Sequence, residues 1–262
     1  MKKHLKIFIC YFRLNFASAL EYRESFLTQA FGMALSNSSF IFFWWIAFSQ
    51  IGENIAGYSF NDVLFLWATA SAGYGLSLIF FANISRLTSL IVNGELDVFL
   101  LQPCNILVNL MSAGTNFSAY GDLLYGLVIM CIVYMKNAAA WLWFGYGAIV
   151  FCLLYAAIRL ISHTLSFFLG DATIIGRLTT EFAVNFSIYP EKIYAPAVRS
   201  LMYSLIPVGI AIHIPLRQMG GFSFGLTAVS LCIAILYCVF AGWFFYRGLK
   251  RYESGNMIVI RL

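Results

Sequence analysis

Few side chains in this sequence could do chemistry, because sixteen basic and eleven acidic residues are spread through 262. Asp122 stands inside a long apolar run. A charge at the centre of a membrane helix costs at least ~2.5–3.5 kcal/mol on insertion scales, which makes an intramembrane acid a functional candidate by default. It could relay a proton or ion, or it could be neutral, or it could face a subunit interface. Arg159 is a possible partner, although residue counts set it ~10 Å deeper at about 1.5 Å per residue. Arg177 and Glu181 are four apart and can pair on one helix face. They could line a polar cavity, form a gate, or make a structural ion pair near the membrane edge. Together with Asp122 they would suit the ion pathway of a secondary carrier or channel.

Other chemistries find less support. Ser, His and Asp residues occur without a G-x-S-x-G nucleophile motif. His163 lies four after Arg159 but has no second ligand at metal-binding spacing, and His213 beside Pro215 reads as structural. The phosphate loop G-x-x-x-x-G-K-[ST] is missing, and the dipeptide Gly-Lys never occurs. The chain should therefore hold no catalytic residue, metal or cofactor of its own, and any ATP and Mg would sit on a partner.

One charged interruption is more informative. Gly94, Glu95, Leu96, Asp97, Phe99, Leu100 and Pro103 fall between two long apolar regions. Gly94 can start or bend a helix, and Glu95 and Asp97 suit a first turn facing the positive end of the dipole. Leu96, Phe99 and Leu100 at i, i+3 and i+4 make one apolar face, and Pro103 should stop the helix. Such a helix is either a lever against a cytoplasmic partner or an amphipathic loop helix resting on lipid.

The elements that would position these groups must lie in lipid. The chain is 61% hydrophobic and 10% charged, with mean hydropathy +0.83, whereas soluble domains carry about 25% charged residues. Segments 26–49, 63–85, 107–135, 138–160, 165–190 and 222–246 approach or exceed the roughly 20 apolar residues that cross a bilayer. No separate soluble domain fits beside them. Leu5, Phe8, Ile9, Phe12, Phe16, Ala19 and Leu20 form a helical stripe with Lys2, Lys3, Lys6 and Arg13 mostly off it, as in a helix lying in the interface. Lys6 and Arg13 also interrupt what would otherwise resemble a signal peptide, so residues 1–22 should be retained.

Twelve of the sixteen Lys and Arg fall on one side of this scheme, including the basic tail with Arg247, Lys250, Arg251 and Arg261. The richer side is expected to be cytoplasmic. Trp44, Trp45, Trp67, Trp141 and Trp143 then lie near the outer interface, as an aromatic belt would. Residues 195–215 carry Pro196, Pro207 and Pro215. They read as an outer re-entrant hairpin, with Pro207 removing a mid-helix donor, or alternatively as a full span. The six cysteines show no regular spacing and read as packing residues. The +5 net charge fits loops facing anionic lipid, and nothing points to nucleic acid.

The stretch Gly94-Glu95-Leu96-Asp97-Val98-Phe99-Leu100-Leu101-Gln102-Pro103 resembles the G-x-L-D-x-x-L-x-x-P segment in membrane subunits of type-2 ATP-binding-cassette (ABC) transporters. Tyr189-Pro190, Ile193-Tyr194, Ile206-Pro207 and Ile214-Pro215 are similar to that family's region between its fifth and sixth spans. The resemblance implies an all-α polytopic integral membrane protein of six transmembrane helices. Residues 1–22 would form an interfacial helix, 93–104 a cytoplasmic coupling helix, and 195–219 an outer re-entrant pair. It further implies a non-catalytic permease subunit of an ATP-driven exporter in the cytoplasmic membrane, with both termini inside. Its partners would be two copies of a cytoplasmic ABC ATPase and a second permease, usually a different one and otherwise a second copy of this chain.

Overall fold

Apolar helices held at close range by small residues organise the chain. The computed structural model describes residues 2–52 and 54–253, with the side chains of 2–5 and 19 left undescribed. The side chains of Lys2, Lys3, Leu5 and Ala19, and all of Arg261, therefore lie outside the described residues. Thirteen α-helices follow in order: α1 (Lys2–Glu21), α2 (Arg23–Ile51), α3 (Phe60–Phe81), α4 (Leu87–Val92), α5 (Asp97–Leu100), α6 (Ile106–Ser112), α7 (Ser118–Tyr134), α8 (Ala138–Thr164), α9 (Ser166–Leu169), α10 (Thr173–Ile188), α11 (Pro196–Leu201), α12 (Val208–Gly220) and α13 (Phe224–Leu249). Short 3₁₀ turns occupy Ala82–Arg86 and Glu191–Ile193. Among the described residues no named element is a strand.

Among the described residues, four stretches are long and apolar enough to cross a membrane: Arg23–Ile51, Phe60–Val92, Ala138–Leu169 and Phe224–Leu249. The protein is thus an all-α polytopic membrane protein. A count of six adds α7, at 17 residues, and α10, at 16.

Three boundaries differ from the sequence expectation, each for a local reason. The expected span 107–135 is broken between α6 and α7. There Asn116 donates its N–H to the Leu78 carbonyl (3.2 Å), and its side chain accepts from the Ser118 N–H (3.0 Å), a side-chain turn that competes with the helix. The expected span 165–190 starts later. Gly170 has φ +82°, which ends α9 in a conformation that favours glycine, and Asp171 then accepts from the Thr173 N–H (2.9 Å) to open α10. Residues 195–215 carry the short helix α11 and most of α12, and the difference lies at Pro207. Pro207 stands at the N-cap of α12, where no donor is needed, instead of mid-helix. Pro196 sits in the first turn of α11, and it is Pro215 that lies inside a helix.

α3 and α8 form the buried centre. α7 runs against α3 so closely that a Cβ at Gly75 would fall 2.7 Å from the Ala119 carbonyl, and one at Gly126 would fall 2.6 Å from that of Ala68. Small residues of this kind let membrane helices approach to backbone contact. α8 is flanked by α3, α10, α12 and α13, and α2 closes one side along α7. α1 lays Phe8 on Phe80 (5.7 Å), Phe12 on Phe80 (5.4 Å) and Phe16 on Tyr120 (6.2 Å), while Ile9 and Leu20 stay exposed. The proposed belt also turns inward. Trp44, Trp67 and Trp143 are buried, and Phe40 stacks on Trp67 at 4.1 Å.

Candidate functional site

The interruption at 94–103 folds at one end of the bundle. Gly94 ends α4 rather than starting a helix. It adopts φ +74°, and its N–H donates to the Ile91 carbonyl (3.3 Å) while the Leu96 N–H returns to Leu90 (3.1 Å). This closes the helix in the manner of a left-handed glycine cap. Gly94→Ala should cost about 1–2 kcal/mol, the penalty of a left-handed L-residue, measurable as a lowered unfolding temperature of the purified protein.

The helix that follows is a single turn, α5, capped at Leu101 two residues before Pro103. Leu96 is fully buried among Ile84, Leu87, Leu90, Leu110, Leu160 and Phe245, with Phe99 packed alongside. Leu100 departs from the expected face and is 44% exposed. Val98 and Leu101 project outward at 61% and 86% exposure. Tyr252, past the end of α13, faces Asp97, and burial together with the Asp97 carboxylate pushes its hydroxyl up to about 12. The turn is thus rooted in the core on one side and presents an apolar tip on the other.

Just above this root, the Thr88 hydroxyl lies 2.8 Å from His163 Nδ1 and 2.9 Å from Ser166 Oγ, tying α4 to α8 and α9. A Cβ at Gly176 would fall 2.6 Å from the His163 ring, so α10 rests on the same network. Arg159 caps the C-terminal end of α3. It donates to the carbonyls of Phe81 (3.4 Å) and Ala82 (3.1 Å) and to Ser85 Oγ, where a helix end favours positive charge. Arg159 is therefore no partner of Asp122.

Asp122 lies instead on α7 beside a cavity of about 200 Å³ bounded by α2, α3, α7, α8 and α10. Its Oδ1 accepts from Asn37 Nδ2 (2.8 Å), and its own backbone carbonyl accepts from Ser71 Oγ (2.8 Å). Val184 and Ile188 of α10 line the cavity. Arg177 and Glu181 precede them on the same helical stripe but lie outside it, both exposed and 3.8 Å apart. The structure does not bring the three polar residues together. An exposed pair of this geometry contributes ~0–1 kcal/mol.

The opposite end carries a cluster that no local pattern in the chain predicts. The buried Glu191 carboxylate accepts from the Tyr203 hydroxyl and the Arg217 guanidinium, and Arg199 donates to the Glu191 carbonyl (3.2 Å). These bonds fasten α11 and α12 to the end of α10. Burial pushes the Glu191 pKa up, but hydrogen bonds from Tyr203 and Arg217 outweigh it and hold the carboxyl below its ordinary value. A depressed carboxyl stabilises the fold above the unfolded pKa, and that stabilisation is lost as pH falls through the folded value. Unfolding temperature should therefore drop only below about pH 4.5, and Glu191→Gln should flatten this acid limb. An acid limb of the same depth in the variant would contradict the assignment.

Asn37, Ser71 and Tyr74 escaped sequence reasoning because polar and aromatic residues in apolar spans are common, and Trp67 stood out only as a belt residue. Glu191 could have been noticed as an acid directly after the Tyr189-Pro190 pair, although nothing linked it to Arg217. Comparison with known proteins adds one positive finding. A family model described as ABC-2 family transporter protein matches residues 35–255, from within α2 to beyond α13. No curated protein matches the chain.

Proposed function

The chain belongs to the ABC-2 family of transporter proteins and is a membrane permease component, and we propose that it serves an ATP-driven exporter in which a separate ATPase presses on the α5 turn. The carrying observation is the two-sided build of that turn. Leu96 is sunk in the core formed with α4, α6, α8 and α13, while Val98 and Leu101 face outward. A push on the tip is thereby delivered to the ends of several long helices, and through Thr88, His163 and Gly176 to α10. Packed elements with discrete arrangements carry such displacements.

Charge supports a cytoplasmic position for this end. Among the described residues, Lys6, Arg13, Arg23, Arg86, Arg247, Lys250 and Arg251 gather on the side of α5, whereas Lys136, Lys192, Arg199 and Arg217 lie on the side of Glu191. The richer side is the cytoplasmic one. Both termini are then inside, α1 lies in the inner interface, and α11 with α12 forms the outer re-entrant pair. α10 supports a second permease. Arg177 and Glu181 are exposed on α10, and at membrane depth lipid would solvate their charges poorly. A facing permease, a different chain or a second copy, would cover them. ATP and Mg reside on the ATPase. A secondary carrier would need Asp122, Arg177 and Glu181 along one path, and Asp122 is enclosed apart from the other two.

The test is purification of the chain from its native membrane in mild detergent, with mass spectrometry of whatever elutes with it. A stoichiometric ATPase carrying a phosphate loop supports the exporter reading. Elution alone, or only with itself, would overturn it.

A further inference from the structure

The cavity beside Asp122 holds an unusual imbalance. Asp122 is 3% exposed, and its Oδ2 has no hydrogen-bond partner among the described residues. Trp67 Nε1, on the facing helix, is likewise without one. Among the described residues the only hydrogen bond to the carboxylate is that from Asn37 to Oδ1. Arg159, the partner that the sequence suggested, is committed to the end of α3 and to the face of Tyr155 at 5.6 Å. A buried carboxylate without a counter-ion is costly, and such groups are paired in native structures. Here the unpaired oxygen borders about 200 Å³ of open space, room for six or seven waters at ~30 Å³ each. Trp67, Tyr74 and Phe151 wall that space.

We propose that this half-open cavity, lined by residues of the one subunit, binds a small amphipathic amine, with Asp122 as its counter-ion. The ammonium donates to Asp122 Oδ2, Asn37 fixes the carboxylate through the other oxygen, and the apolar part lies against Trp67, Tyr74 and Phe151. Aromatic faces attract cations as well as hydrocarbon. A mostly apolar pocket with a few convergent polar groups is the usual build of a small-ligand site. The site goes beyond the exporter reading and does not depend on it, since binding requires no ATPase.

The experiment is equilibrium binding of radiolabelled phenethylamine to the purified full chain in nanodiscs, with 2-phenylethanol as the uncharged competitor. Saturable binding near one per chain is expected, with competition by 2-phenylethanol at least tenfold weaker than by unlabelled amine. Asp122→Asn keeps the shape and the oxygen facing Asn37, and should weaken binding at least tenfold. Val184→Phe fills the cavity from its half-buried rim without touching the carboxylate, and should abolish binding while the unfolding temperature stays within a few degrees of the parent. Absence of saturable binding, equal competition by the alcohol, or unchanged binding in both variants would each overturn the proposal.

Discussion

Placing glutamate at both Val98 and Leu101 should detach the ATPase from this permease while leaving the permease itself folded. Both side chains project from the α5 turn and contribute little to the core. Full burial of a Val or Leu side chain is worth ~1.5–3 kcal/mol. Loss of both contacts therefore removes about 3–6 kcal/mol from a docked complex, or roughly 10²–10⁴ in affinity at 1.4 kcal/mol per tenfold. Two charges left in an apolar contact add to that loss. The readouts are co-purified ATPase and vanadate-sensitive ATP hydrolysis, with unfolding temperature as the control, because surface substitutions usually stay within about 0.5 kcal/mol. Undiminished ATPase recovery would mean that the tip is not the contact.

Leu96→Ala should have the opposite signature. Leu96 is fully buried between the root of the turn and the helices beneath it, so its truncation should cost about 2–5 kcal/mol. Amide hydrogen exchange over residues 93–104 should accelerate, since local opening follows the loss of buried contacts. Leu100→Ala, at a half-exposed site one position past Phe99, is the matched control and should change stability little. Equal effects at 96 and 100 would contradict the rooted turn and restore the single apolar face that spacing alone suggested.

That contrast shows where the sequence was legible. Hydropathy located the long helices α2, α3, α8 and α13 well, because a lipid-facing or fully buried helix must be apolar along its length. It misjudged residues 107–135 and 165–190, where Asn116 and Gly170 break the helix without interrupting the apolar composition. The G-x-L-D-x-x-L-x-x-P stretch marked the right segment but blurred its mechanics. Gly94 closes the preceding helix, and Leu100 faces outward. Asp122 stood out as an isolated acid, yet its bond to Asn37 joins residues 85 apart in the chain, and no local pattern encodes such a pairing. The tryptophans went astray for a similar reason. Their spacing fits a belt, whereas tertiary packing turns three of them into the core.

The measurement that bears most directly on the lever is photo-cross-linking in native cells from a benzophenone amino acid at position 101, with position 231 on the outer face of α13 as the reference. The account predicts a covalent product between position 101 and a phosphate-loop ATPase, with no such product from position 231. Cross-links from position 101 only to lipid or to this chain, with the protein at native abundance, would contradict it.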